Sequence, residues 1–174
     1  MDTFDAIRSK RDTRDYEERP IPADAIVRII RAGRMAGSSR NAQPIRLVIV
    51  RDPAHRTALA ACGDFTTHLP ASPLVIVIVR FIDSRPFDAG RTAQNMMLAA
   101  HALGIASCPV GIQHDDRARE VLGLPADTVV AMAITFGYPR DARAVGRGDR
   151  RLPIEDYVHW EQWGRHDAAP TLDR

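Results

Sequence analysis

Apolar residues along the chain fall into two periods. Ile26, Ile29, Ile30 and Gly33 recur at i, i+3, i+4 and i+7, which predicts a helix with one buried face. Pro20-Ile21-Pro22-Ala23-Asp24 leads into it as an extended entry and helix start, with Asp24 near the positive end of the dipole. Thr3 to Ser9 is a short amphipathic segment presenting Phe4 and Ile7. Asp52-Pro53 opens a helix through about Ala61, and Asp115 to Leu122 forms a small one. The longest helix is predicted over Asp88 to Leu103. Ala93, Met96, Met97, Ala100 and Gly104 share one face of it, and Leu98, Ala99 and Ala102 make the rest nearly as apolar, so it is expected to be buried on most sides. The paired methionines read as core filler, and Gly104 as the cap.

Strands are predicted at Ile45 to Val50, at Pro73 to Val79, at Ile105 to Ile112 ending in a Pro/Gly turn, and at Val129 to Phe136. The second is apolar without interruption, the mark of a strand buried on both faces. Thr66 to Ser72 is loop-like. This order predicts an α+β or three-layer domain around a mixed sheet.

Two polar stretches interrupt the pattern. Met35-Ala36-Gly37-Ser38-Ser39-Arg40-Asn41-Ala42-Gln43-Pro44 lies between the first periodic helix and the first strand. Gly37 is the expected C-cap, Pro44 stops the helix, and Ser38, Ser39, Asn41 and Gln43 supply donors and acceptors at short reach. A loop of this kind, held between core elements, suits a polar ligand. The second stretch, Lys10-Arg11-Asp12-Thr13-Arg14-Asp15-Tyr16, holds three cations in five positions. Extended, it directs Lys10, Asp12 and Arg14 one way and Arg11 and Thr13 the other; bent, it brings several cations onto one phosphate. Arg28, Arg31 and Arg34 read as a solvated face.

Composition narrows the function. The chain has 174 residues, 45% hydrophobic and 26% charged, with a net charge of +2, too small to argue for a nucleic-acid protein. Lys10 is the only lysine, which removes any reading that needs a P-loop lysine. No GxGxxG fingerprint is present. Cys62 and Cys108 are far apart, and the six histidines show no HxxxH or HExxH spacing, so neither a disulfide framework nor a zinc site is supported. No apolar run approaches the roughly 20 residues that cross a bilayer. A reduced, cytoplasmic protein with no membrane association is expected.

Four stretches taken together carry a resemblance. They are Lys10 to Tyr16, Gly37 to Pro44, Ala93 to Ala100 with Leu103-Gly104, and Cys108-Pro109-Val110-Gly111 with Phe136-Gly137-Tyr138-Pro139. In this order and spacing, from about residue 5 to 160, they resemble the FMN-dependent nitroreductase family.

The resemblance implies a three-layer α-β-α fold with a central mixed sheet and an entwined homodimer. Residues 1–160 would form a single FMN-binding domain and 161–174 a C-terminal tail packing on the partner; the family's C-terminal arm would bury Trp160 and Trp163. Lys10, Arg11, Asp12 and Arg14 match the motif that holds the FMN phosphate and ribityl chain. Ser38, Ser39, Arg40, Asn41 and Gln43 match the loop that reaches the flavin from the partner subunit. Pro109, Val110 and Gly111 match the turn whose backbone approaches flavin N5, and Arg150 and Arg151 lie where a late basic residue meets the phosphate.

The implied activity is passage of hydride from NADH or NADPH through N5 to a small planar nitroaromatic, quinone or enone by a ping-pong mechanism. The flavin carries the chemistry, so no catalytic side chain is expected. Three departures stand out. Asp12 replaces the common serine and needs Arg11, Arg14 or both to neutralise it. Arg11-Asp12-Thr13-Arg14-Asp15 is also similar to the branch that fragments reduced flavin, the 5,6-dimethylbenzimidazole synthase type. Ile45 replaces the usual tryptophan, and the short link from Arg80 to Asp88 leaves the pocket either open or completed by the partner's tail. A non-enzymatic flavin-binding module is the remaining alternative.

Overall fold

A computed structural model of the chain describes residues 2–141 and 151–166. Its helices are α1 (Thr3–Ser9), α2 (Ala23–Arg34), α3 (Pro53–Ala60), α4 (Pro86–Ala102), α5 (Asp115–Leu122) and α6 (Ile154–Tyr157). Four strands, β1 (Ile45–Val50), β2 (Leu74–Phe81), β3 (Ala106–Val110) and β4 (Thr128–Gly137), form one sheet in the order β1-β2-β4-β3.

Three layers result. Leu74, Ile76 and Ile78 of β2 face α2 and α4, where they meet Ile26, Ile29, Ala93, Met96 and Ala100. Val75, Val77 and Val79 face the other side and pack with Leu59 and Ala118 of α3 and α5. Large side chains on one face and valines on the other explain the unbroken apolar run: β2 is sandwiched between helices. Each such buried side chain contributes about 1.5–3 kcal/mol of transfer free energy.

The sheet differs from the mixed arrangement expected. All three pairings between named strands are antiparallel, and the parallel component is one isolated bridge, Asp12 to Ser107. The connections through α3 and α5 bring the chain back at the end of the sheet it left, so β1–β2 and β3–β4 run oppositely, while α4 carries the chain from β2 past the position of β4 to β3. Helix α4 begins at Pro86, two residues before the predicted start, because proline suits the first turn. Arg80 closes the short link before it, its Nη1 donating to the carbonyls of Phe81, Ile82 and Ser84 at 3.1, 3.1 and 2.8 Å.

The N-terminal segment is clipped to the β3–β4 edge. Thr13 N–H donates to Ser107 O at 3.1 Å and Glu17 N–H to Tyr138 O at 2.8 Å. Tyr16 is buried over Gly137, where a Cβ would lie 2.6 Å from the ring's Cγ. The Tyr16 hydroxyl donates to Thr13 O and lies 2.7 Å from Thr135 Oγ1. Arg140 completes the clip, with Nη2 on Tyr16 O at 2.9 Å and Nε on Asp15 Oδ1 at 3.1 Å.

Gly137→Ala should therefore destabilise the protein by about 1–3 kcal/mol in urea titration, because the rigid ring cannot move aside. Burial pushes the Tyr16 hydroxyl above its ordinary value of 10.0. Its contribution is complete below that pH and declines as the pH rises, since only the unfolded chain ionises there. Tyr16→Phe should cost about 1–2 kcal/mol at neutral pH, and its stability should fall less steeply than wild type above about pH 10.

Candidate active site

The two polar stretches occupy different parts of the surface. Ser39–Asn41 forms a single 3-10 turn after α2. Helix α2 ends at Met35 in right-handed geometry, and the only described glycines with positive φ are Gly104, Gly123 and Gly164. Gly37 is thus no left-handed cap. Its missing side chain instead admits Arg91, whose Nη1 donates to Gly37 O at 2.8 Å. The left-handed conformation falls on Arg40 (φ 50°), Asn41 (φ 54°) and Gln43 (φ 49°), which is strained for arginine and glutamine. Besides its own backbone bonds, the turn is held by Gln43 N–H donating to Ser38 Oγ at 2.8 Å and Arg46 Nη1 donating to Gln43 O at 2.9 Å. Ser38 and Gln43 line a cavity of about 320 Å³ with Gly33, Ile45, Leu47 and Thr92, while Ser39, Arg40 and Asn41 stand exposed.

The cation cluster does not converge on one point. Lys10 Nζ is bonded to the Asp12 carboxylate and lies 3.4 Å from Met97 Sδ. Asp12 is therefore neutralised by Lys10 rather than by Arg11 or Arg14. Arg11 Nη1 turns to the carbonyls of Arg8 and Lys10 at 2.5 and 2.8 Å. Lys10 and Arg11 border a cavity of about 330 Å³ with Ser9, His101 and Ser107. Ser9 Oγ and His101 Nε2 are 2.8 Å apart, and burial followed by the charges of Lys10 and Arg11 lowers the His101 pKa. Ser107 Oγ is buried without a hydrogen-bond partner.

Arg14 stands apart, on a cavity of about 400 Å³ with Asp64, Phe65, Thr67, His68, Pro109, Val110 and Gly111. It makes no hydrogen bond or ion pair with another described residue. Pro109 and Val110 lie within β3, opposite Ile134 and Ala133, instead of in a turn. Proline is admitted there because β3 is an edge strand. Burial holds the Cys108 thiol above its ordinary pKa, so it is a packing group. Arg151 borders a separate cavity with Leu152, Ile154 and Tyr157, and Arg150 lies outside the described residues.

Asp64, Phe65, Thr67 and His68 were hidden in a loop with no periodic signal. They reach the site because two loops are pinned together: His114 N–H donates to Cys62 O at 3.0 Å and Asp64 N–H to Gln113 Oε1 at 2.9 Å. Gly63 and the threonine and serine turn formers were the available hints.

Arg14, the buried and unpartnered Nε2 of His68 and the strand-end backbone of Pro109 to Gly111 around one cavity define a small-molecule binding site in an α+β protein. The Nitroreductase family model matches residues 7–74 and 68–138; the chain belongs to the nitroreductase family and is an oxidoreductase. A protein of Archaeoglobus fulgidus, provisionally named NADH dehydrogenase/NAD(P)H nitroreductase, is 30% identical over 90% of this chain and 96% of its own. The 5,6-dimethylbenzimidazole synthase of Rhodobacter capsulatus is 30% identical over 90% of this chain and 79% of its own. A provisionally named nitroreductase of Desulfovibrio desulfuricans, solved in complex with FMN, superposes with a TM-score of 0.79 at 26% identity, covering 92% of this chain and 96% of its own. Among the described residues no helix is long and apolar enough to cross a membrane.

Gln43→Gly should raise stability by about 1 kcal/mol by releasing the left-handed strain, whereas Ser38→Ala should lower it by about 0.5–1 kcal/mol. Thermal and urea unfolding of the two variants checks both signs.

Proposed function

We propose that this protein is an FMN-dependent oxidoreductase that draws on NADH or NADPH and reduces a small planar acceptor, a nitroaromatic, quinone or enone, in two alternating half-reactions. The observation that carries the proposal is Arg14, an uncommitted guanidinium on the cavity bordered by Pro109, Val110 and Gly111. The FMN complex of the Desulfovibrio relative supports FMN, and the Archaeoglobus relative, named for NADH and NAD(P)H, supports a nicotinamide donor.

The residues present suit the group. A permanent cation, a buried imidazole nitrogen without a partner and a cavity of about 400 Å³ accommodate a flat ligand with an anionic end. Arg14 grips the phosphate or ribityl end, while Lys10 and Arg11 stand beside it on a neighbouring cavity and Arg151 borders another. The Lys10–Asp12 pair keeps the Asp12 carboxylate from opposing an anion. Gly111 would offer its backbone N–H to the flavin ring, while Pro109 and Val110, paired to β4, fix the position of that backbone. When bound, FMN supplies the two-electron chemistry, accepting hydride and returning it to the acceptor. No side chain needs to act as acid or base.

Ser38, Ser39, Arg40, Asn41 and Gln43 line no cavity together with Arg14. We place them at the flavin of a partner subunit in an entwined homodimer. Exposed Phe4, Ile7, Met35, Phe87 and Trp163, the last 90% exposed, supply apolar surface for that interface. Residues 1–160 then form the domain, and 161–174 a tail on the partner of a cytoplasmic dimer.

A second reading has its own support. The Arg11-Asp12-Thr13-Arg14-Asp15 pattern and the 30% identity to the Rhodobacter enzyme support oxygen-dependent fragmentation of reduced flavin. That reading requires flavin to be consumed and a benzimidazole to accumulate.

The purified protein should show flavin bands that bleach anaerobically with NADH or NADPH. Bands that persist with both donors would overturn the oxidoreductase reading. Arg14→Ala should lower FMN affinity by about tenfold or more, the scale of one charge-assisted contact, read by fluorescence titration; wild-type affinity would remove Arg14 from the site.

A further inference from the structure

The Arg14 cavity holds a second uncommitted group. His68, in the loop between α3 and β2, is only 9% exposed, and its Nε2 is buried with no hydrogen-bond partner. Buried polar atoms in native proteins are almost always paired, with protein, water or ligand. His68 lines the same cavity as Arg14, Asp64, Phe65, Thr67 and Pro109 to Gly111.

Its support is rigid. Thr66 Oγ1 donates to Ala60 O and Gly63 O, each at 2.6 Å, and Leu69 N–H donates to Thr66 O at 2.9 Å. A Cβ on Gly63 would lie 2.6 Å from Thr66 Cγ2 and 2.9 Å from Gln113 Oε1, so the loop is seated tightly on the segment after β3. Burial, and then the Arg14 charge, lower the His68 pKa below its ordinary value. The imidazole is therefore neutral at pH 7 and offers one N–H and one lone pair.

Given the FMN reading above, on which this step rests, we propose that His68 is a cofactor-contacting residue whose Nε2 hydrogen-bonds the heteroatom edge of the flavin ring. The cavity assigns it the ring rather than the phosphate: His68 shares its wall with Gly111, the backbone offered to the flavin ring, and with the exposed aromatic face of Phe65. A charged phosphate is served by the permanent cation of Arg14. A ring edge that alternates donors and acceptors matches a neutral imidazole, whereas an apolar ring face would leave Nε2 unpaired. A contact of this kind discriminates between oxidised and reduced ligand, so it sets both affinity and potential.

The test compares wild type, His68→Phe and His68→Gln, each reconstituted with FMN. Fluorescence titration gives the Kd and a dye-coupled titration gives the midpoint potential. His68→Phe should weaken FMN by about three- to tenfold, the range of one hydrogen bond, and shift the potential by about 15–30 mV, a three- to tenfold differential for two electrons. His68→Gln, which restores a polar nitrogen at similar reach, should recover most of both. A His68→Phe protein with wild-type affinity and potential overturns the assignment, as does a His68→Gln protein as impaired as His68→Phe in affinity with the potential unmoved, which would mark a purely structural role. The wild-type protein gives an independent reading: the ¹⁵N resonance of His68 Nε2 should shift on adding FMN, and an unmoved resonance overturns the proposal even where His68→Phe fails to fold. Failure of wild type itself to take up FMN would overturn the cofactor reading, and this assignment with it; FMN uptake with indifferent His68 overturns this assignment alone.

Discussion

Tyr16 pressed against Gly137 is the contact on which the arrangement of the site depends. The sheet and its two helical layers close without the first twenty residues, but the cation-bearing segment has no core of its own. One buried ring, with its hydroxyl satisfied by Thr13 and Thr135, fixes that segment in register with β3. The register then decides where each charge stands. A residue-by-residue alternation along an extended strand sends Lys10, Asp12 and Arg14 to one side, yet only Arg14 arrives beside Pro109 to Gly111.

That distribution gives the cations unequal work. Lys10 is held by a carboxylate and a thioether, and Arg11 caps backbone carbonyls near the end of α1. Both are structural before any ligand arrives. Arg14 is the charge left over in this segment, and its neighbour His68 carries a buried nitrogen without a partner. A buried imidazole nitrogen without a partner is destabilising, and its place beside an exposed, unpaired guanidinium at one cavity is what separates a ligand site from an ordinary surface depression.

The loop after α2 represents the opposite strategy. Its left-handed residues are arginine, asparagine and glutamine instead of glycine, so its shape is maintained against local preference by Arg91 and Arg46 from neighbouring elements. Strain held by surrounding structure is characteristic of functional loops. Within one chain Ser38 and Gln43 of this loop line a cavity of their own, apart from the one that Arg14 borders.

Much of the architecture was legible in the order of residues. Hydrophobic period, together with start and turn signals such as Asp52-Pro53, gave each named helix beyond a single turn and all four strands to within about two residues, and the unbroken run of β2 marked it as central. Family resemblance was legible from short polar stretches, since their chemistry is local. Other features were decided by the tertiary structure. The antiparallel pairing depends on which way each crossover returns, and Pro109 is strand rather than turn because β3 has a free edge. Gly37 serves an approaching arginine and not a helix cap. His68 lies 54 positions from Arg14 in a loop without periodicity, and nothing in either segment encodes their meeting. Local steric and hydrophobic preferences act over a few residues and so can be read in order; the joining of a cation, an imidazole and a strand end requires the whole core to form, because the core alone holds those three segments together.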